Sequence, residues 1–117
     1  MKKILLVEDQ PIAAITTQAI LKKNNYNVAT VKNGESAYST AMARDYDVIL
    51  MDIDLGGGIN GIEAAIKILE EKYVPIIFLS SIPEEEVKER TEGVNSCGYV
   101  AKISGEEVLI PAIKKCS

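Results

Sequence analysis

At 117 residues the chain has the length of one compact domain and too little for two of ordinary size. Its 17 acidic and 13 basic side chains leave a net charge of −4, which argues against broad electrostatic binding to nucleic-acid backbones or anionic membranes. It contains no histidine, so a Ser-His-Asp or Cys-His nucleophile pair and any histidine-ligated metal are excluded. Metal chemistry here must use oxygen ligands and therefore a hard cation.

The two cysteines, Cys97 and Cys116, form no C-x-x-C motif and are expected to be free thiols in a reducing cytosol. No apolar run approaches the ~18 residues of a membrane span. The apolar stretch near the start ends at Glu8-Asp9, well below the ~7 residues of a signal-peptide core. A cytoplasmic protein without membrane or direct nucleic-acid contacts is expected.

Short apolar runs alternate with helical periodicity along the chain. Ile4-Leu5-Leu6-Val7 is apolar at every position, as in a strand buried on both faces. Ile12, Ile15, Thr16, Ala19 and Ile20 follow at helical spacing and predict a core-facing stripe. Asn27-Val28-Ala29-Thr30 is a weaker strand. Asn33-Gly34 opens a second helix with Ala37, Tyr38, Ala41 and Met42 on one face. Val48-Ile49-Leu50-Met51 is the third strand. Asn60 and Glu63 form a start signal for a helix carrying Ile62, Ala65, Ile66 and Leu69. Ile76-Ile77-Phe78-Leu79 is the fourth strand. A thin stripe of Val87, Thr91 and Val94 follows among many charges. Tyr99-Val100-Ala101 is the fifth strand. Ser104 and Glu107 predict a capping box for a last helix bearing Leu109, Ala112, Ile113 and Cys116. Five β-α units with right-handed crossovers give an α/β fold, an open, doubly wound parallel sheet of five strands.

Ligands bind such sheets at the carboxyl ends of the strands. Glu8 and Asp9 follow the first strand, Asp52 and Asp54 the third, Ser80 and Ser81 the fourth, and Lys102 the fifth. Each alone has a local explanation as a helix cap, a turn residue or a solvated lysine. Gathered at one edge they are harder to explain locally. Clustered carboxylates repel and raise one another's pKa unless a cation joins them, and an all-oxygen set suits Mg²⁺. A lysine and a hydroxyl beside that metal suit a phosphoryl group, and an aspartate is a competent phosphoryl acceptor.

Gly56-Gly57-Gly58-Ile59-Asn60-Gly61 matches the spacing G-x-G-x-x-G between a strand and a helix. Carboxylates intervene where a pyrophosphate would lie, and Ser80-Ser81 stands where an acid should hold the ribose. The run therefore reads as a loop needing φ > 0 at some positions.

These residues resemble the receiver domains of two-component response regulators over the whole chain. Leu5-Leu6-Val7-Glu8-Asp9 is similar to the first strand and acidic pair, Leu50-Met51-Asp52-Ile53-Asp54-Leu55 to the phosphoacceptor strand, and Asn60-Gly61-Ile62-Glu63-Ala64-Ala65 to the start of the third helix. Pro75-Ile76-Ile77-Phe78-Leu79-Ser80-Ser81 is similar to the fourth strand with its hydroxyl residue, and Gly98-Tyr99-Val100-Ala101-Lys102 to the fifth strand with its switch aromatic and lysine. The resemblance implies a flavodoxin/CheY-like fold with strand order 2-1-3-4-5. Residues 1–117 would form one receiver domain without an output domain.

The resemblance also implies roles. Asp52 would accept phosphoryl from a phosphohistidine on a sensor histidine kinase or phosphotransfer protein. Asp9 and Asp52 would ligate Mg²⁺ directly, Asp54 through its backbone carbonyl and Glu8 through water. Lys102 would pair with the phosphoryl oxygens. Ser80 would swing to the phosphoryl group and Tyr99 turn inward behind it, switching the face made by the fourth helix, fifth strand and fifth helix. No organic cofactor is implied, and the only chemistry is self-phosphorylation and its reversal. The Asp54 loop and the Lys102-Ile103-Ser104 ending are similar to receivers covalently joined to sensor kinases.

Three departures from the family pattern stand out. The loop before Gly61 is longer and richer in glycine. Ser80 replaces the commoner threonine. Ile103 follows Lys102 where a cis-proline is usual, and because a cis bond before a non-proline residue costs ~3–4 kcal/mol, a trans bond is expected. Ile82, two residues beyond the hydroxyl, is bulky enough to hinder attacking water, which predicts slow phosphate loss. Two rival readings are a pseudo-receiver that only binds partners and an aspartyl-phosphate phosphatase of the haloacid-dehalogenase type. The phosphatase also carries Asp-x-Asp, as in Asp52-Ile53-Asp54, but its nucleophile strand comes first in its fold.

Overall fold

The computed structural model describes all residues from Met1 to Ser117. Strands and helices alternate: β1 (Lys3–Val7), α1 (Pro11–Lys23), β2 (Asn27–Val31), α2 (Gly34–Ala43), β3 (Val48–Asp52), α3 (Gly61–Glu71), β4 (Ile76–Ser80), α4 (Glu84–Arg90), β5 (Gly98–Ala101) and α5 (Glu106–Cys116). The sheet is parallel throughout, in the order β2-β1-β3-β4-β5. The expected topology and the order implied by the resemblance are both observed. No helix is long and apolar enough to cross a membrane.

The unbroken apolar runs are explained by two cores, one on each face of the sheet. Leu5, Val7, Ile49, Met51, Ile76 and Phe78 point to one side and pack with Ala37 and Ala41 of α2, Ala65 and Ile68 of α3 and Val87 of α4. Their neighbours Ile4, Leu6, Val48, Leu50, Ile77 and Leu79 point to the other, against Leu21 of α1 and Leu109, Ile110 and Ile113 of α5. Successive strand residues alternate faces, so only a fully apolar run can feed both cores. Each such side chain contributes about 1.5–3 kcal/mol on full burial.

The helix starts follow the sequence in part. The Asn33 side chain accepts the Ser36 N–H at 2.8 Å, and Asn60 with Glu63 forms the expected reciprocal capping box. The Ser104–Glu107 box does not form. Ser104 is taken up by a turn in which its N–H donates to the Ala101 carbonyl at 2.9 Å. The helix then starts from Gly105, which shifts Glu107 one residue too close to the N-cap for a reciprocal bond. The Lys102–Ile103 bond is trans, as expected, since the chain has no cis peptide.

The α1 stripe is also corrected. Ile12 and Ile15 are 80% and 66% exposed, and Thr16 and Ala19 are exposed with them. The helix instead docks through Ala13, Ala14, Thr17, Ile20 and Leu21. It is apolar on two faces, and the sheet is met by the face with small residues, which allows close approach.

Cys97, just before β5, and Cys116, at the end of α5, form a disulfide with their Cα atoms 6.0 Å apart. This corrects the expectation of free thiols. The two lie 19 residues apart in sequence, and only the return of α5 along β5 brings them together. Thiol labelling without reductant should leave both unmodified, and reduction should lower the unfolding free energy by about 3 kcal/mol, the scale for a loop of this size. Chemical denaturation with and without a reducing phosphine checks this.

Candidate functional site

The polar residues at the strand ends converge at the carboxyl edge of β1, β3, β4 and β5. Glu8, Asp52 and Ser80 are the buried polar or charged residues of the chain, with 2%, 1% and 0% exposure. Their backbones are held by the sheet and its extension. The Glu8 N–H donates to the Val31 carbonyl at 3.0 Å, and the Lys102 N–H to the Ser80 carbonyl at 2.8 Å. Gly61 opens α3 against the end of β3, where a Cβ would collide with the Asp52 carbonyl oxygen. The Gly61 N–H donates to the Ile53 carbonyl at 3.1 Å. A glycine is required there for the helix to pack beside the site.

The side chains form one charged cluster. Lys102 Nζ donates to Asp52 Oδ2 at 2.9 Å and to Glu8 Oε1 and Oε2 at 2.8 and 3.1 Å. The other Asp52 oxygen, Oδ1, accepts the Asp54 N–H at 3.0 Å. Asp9 Oδ2 accepts the Gly56 N–H at 3.1 Å, while Asp9 Oδ1 is buried without any partner. Burial pushes Glu8 above the usual carboxylate range, and nearby Asp52 adds to this while Lys102 opposes it. Burial works against the charged form of Lys102, but hydrogen bonds and charge from Asp52 and Glu8 outweigh it and hold the ammonium above its usual value.

Both shifts point to a site short of positive charge. Oxygens of Glu8, Asp9 and Asp52 lie within 4.8 Å of one another and face one ammonium. A divalent cation matches the remaining negative charge, and the unpartnered Asp9 Oδ1 offers it a lone pair that would otherwise be buried at a cost. An all-carboxylate oxygen set fits Mg²⁺. Asp54, expected to contribute through its backbone carbonyl, has its carboxylate outside this group, 3.3 Å from Arg90 Nη1.

Ser80 Oγ accepts the Ile82 N–H at 3.0 Å, and the Tyr99 hydroxyl donates to the Ile82 carbonyl at 3.3 Å. Both expected switch residues thus hold the backbone of one residue in the β4–α4 loop. The glycine run is a loop with positive φ at Gly57 and Gly58, and its first N–H serves Asp9, not a dinucleotide. Sequence reasoning missed Arg90, whose partner is 36 residues away, and Glu35, which accepts the Ile59 N–H at 3.1 Å and so ties the loop to α2. Neither sits in a local motif, so no pattern in the sequence marks it.

The model of the response regulator receiver domain family matches residues 4–114, and the chain belongs to that family. It is 33% identical, over 97% of its length, to a gliding motility regulatory protein of Myxococcus xanthus, of which it covers 15%. It spans less than half the length of the curated relatives it matches. Among solved structures it is similar to the N-terminal domain of a response regulator/sensory box/GGDEF protein from Carboxydothermus hydrogenoformans, with a TM-score of 0.89 and 37% identity over 98% of this chain and 93% of that one. The receiver domain of a sensor histidine kinase from Pseudomonas aeruginosa, solved with magnesium in its active-site cleft, gives a TM-score of 0.91 and 30% identity over 98% and 96%. Family membership, together with an acidic pair that follows the first strand, leaves the phosphatase reading without support.

Removing the single ammonium should expose the charge imbalance. Lys102→Met should lose about 2–3 kcal/mol of stability at neutral pH in the presence of a chelator, somewhat less than the ~3–5 for a fully buried pair because Lys102 keeps 18% side-chain exposure. Added Mg²⁺ should raise the melting temperature of the variant more than that of the wild type. Thermal melts with chelator or MgCl₂ check both.

Proposed function

We propose that the chain is a phosphoacceptor module that takes phosphoryl from a partner phosphohistidine onto Asp52. The observation that carries this reading is the buried Asp52 carboxylate, held between Lys102 and the Asp54 N–H and bordered by the unpartnered Asp9 oxygen. In the transfer, a carboxylate oxygen of Asp52 attacks phosphorus and the P–N bond to the donor imidazole breaks, with that bonding pair returning to the ring nitrogen. Charge on the phosphoryl oxygens is what the site must stabilise, and Lys102 is fixed beside the acceptor to do so. Glu8, Asp9 and Asp52, with the Asp54 carbonyl, would hold Mg²⁺, which supplies further neutralisation of the transferring group. The magnesium in the cleft of the Pseudomonas aeruginosa relative supports that assignment. The chain has no histidine, so the donor belongs to a histidine kinase or phosphotransfer domain elsewhere. Exposed Ile12 and Ile15 of α1, and Ile103 after β5, flank the strand ends and offer that partner an apolar rim.

The switch follows from the two bonds to Ile82. A Ser80 hydroxyl that turns to a phosphoryl oxygen gives up the Ile82 N–H. The loop then loses one anchor, and the carbonyl that holds the Tyr99 hydroxyl moves with it. Tyr99, half-buried against the core, follows the carbonyl to which it donates, and the α4-β5-α5 face changes shape. The module is not a turnover enzyme: it takes up one phosphoryl group and loses it by hydrolysis.

Intact-mass analysis with phosphoramidate and Mg²⁺ should show one added phosphoryl group on the wild type, none on Asp52→Asn and none after chelation. Absence of uptake by the wild type would defeat the reading and favour a binding-only module. Ile82 is half-buried over the core, next to Ser80. Ile82→Gly should speed loss of the phosphoryl group several-fold, as read by the decay of the phosphorylated mass after donor removal; an unchanged decay would mean that Ile82 does not shield the site.

A further inference from the structure

Arg90 closes α4, and its Nη1 lies 3.3 Å from Asp54 Oδ1 in the loop that follows the acceptor strand. The side chains are 34% and 45% exposed, so solvent screens the pair and it adds little to folding. Its position is more informative than its strength. Asp54 is the residue whose N–H holds Asp52 Oδ1. The guanidinium therefore grips the side chain of the residue whose backbone orients the acceptor. The rest of the loop is tied elsewhere: Gly56 to Asp9 and Ile59 to Glu35. Arg90 supplies the tie at its acceptor end, and it comes from a helix of seven residues with Val87 as its one buried side chain.

The charges give the pair a second consequence. Glu8, Asp9 and Asp52 already outnumber Lys102, and an ionised Asp54 adds a fourth carboxylate at the rim. That charge attracts a metal cation and repels a phosphoryl donor. A guanidinium paired with it offsets both effects, through a single N–H that reaches Asp54 Oδ1 at 3.3 Å from a planar group whose geometry an ammonium does not reproduce.

We propose that Arg90 is a positioning residue for phosphoryl transfer, which acts through Asp54 by fixing the turn that presents Asp52 and by neutralising the carboxylate at the mouth of the site. The placement of α4 is then part of the acceptor geometry. A displacement of this helix, whether by a bound partner or by release of the Ile82 anchors, reaches Asp52 through the Arg90–Asp54 pair. This inference rests on Asp52 being the acceptor.

The test is a double-mutant cycle of Arg90→Gln and Asp54→Asn, with Arg90→Lys as a charge-retaining control and far-UV circular dichroism to confirm folding. Mg²⁺ affinity by calorimetry and the rate of phosphoryl uptake from phosphoramidate at saturating Mg²⁺ are measured for each. Arg90→Gln should raise Mg²⁺ affinity and slow uptake, each by about three- to tenfold, the size of one partly screened charge. These opposite signs are not produced by a loss of stability. In the Asp54→Asn background, where the guanidinium is no longer held at the site and is screened by solvent, the same change should alter both quantities much less. Arg90→Lys should restore the Mg²⁺ affinity but only part of the uptake rate. Equal effects of Arg90→Gln with and without Asp54, or no effect on either quantity, would overturn the proposal. If the wild type takes up no phosphoryl, the phosphoacceptor reading fails, and the Mg²⁺ arm of the cycle still decides whether Arg90 compensates Asp54.

Discussion

Lys102 is the one cation inside a cluster that also holds Glu8, Asp9 and Asp52, and burial makes that imbalance costly. Water screens charge at an exposed site, but here Glu8 and Asp52 are almost wholly removed from it. Their repulsion has to be met by fixed partners. The ammonium meets part of it, the Asp54 N–H meets another part, and one oxygen of Asp9 is met by nothing in the chain. On the proposed function, a hard cation and then a phosphoryl group would complete the charge and the hydrogen bonds of this group. That makes the site responsive, because its local stability depends on what is bound.

Such a cluster exists only because the sheet holds it. The acids follow β1 and end β3, neighbouring strands inside the sheet, while Ser80 and Lys102 come from the ends of β4 and β5. In a parallel sheet all four strands end at the same edge, so residues far apart in sequence become neighbours without any long side-chain reach. The two apolar cores on either face make the strand ends rigid. The parts that the proposed switch would move lie beyond that frame, in the Ile82 loop and in α4, which is anchored by one buried valine. Rigid acceptor and loosely held reporter are thus separated along the same strands.

Much of this was legible in the chain. Ile4-Leu5-Leu6-Val7 and its counterparts can feed two cores only as buried strands, and the charged residues after them can meet only at one sheet edge. What periodicity misread was orientation. Ile12 and Ile15 form a proper helical stripe, yet α1 turns its smaller residues to the sheet, because burial is decided by which face fits against the strands. The Ser104–Glu107 box failed for a one-residue reason, a turn after Lys102 that moves the helix start to Gly105. Strand order, too, came from the family resemblance, since apolar runs carry no information about their neighbours.

The zero histidine count, the acidic balance and the order of the strand-end residues were determined by the sequence itself, and they exclude histidine chemistry and bring acids, a hydroxyl and a lysine to one sheet edge. Only the tertiary structure decided which groups touch. It left Asp9 with a bare oxygen, gave Asp54 to Arg90, joined Cys97 to Cys116, and hung Ser80 and Tyr99 on the backbone of one residue, Ile82. The reason is one of range. Composition and local pattern act over a few residues, whereas these contacts depend on how far each helix turns and slides as it packs, which is set by the whole core at once.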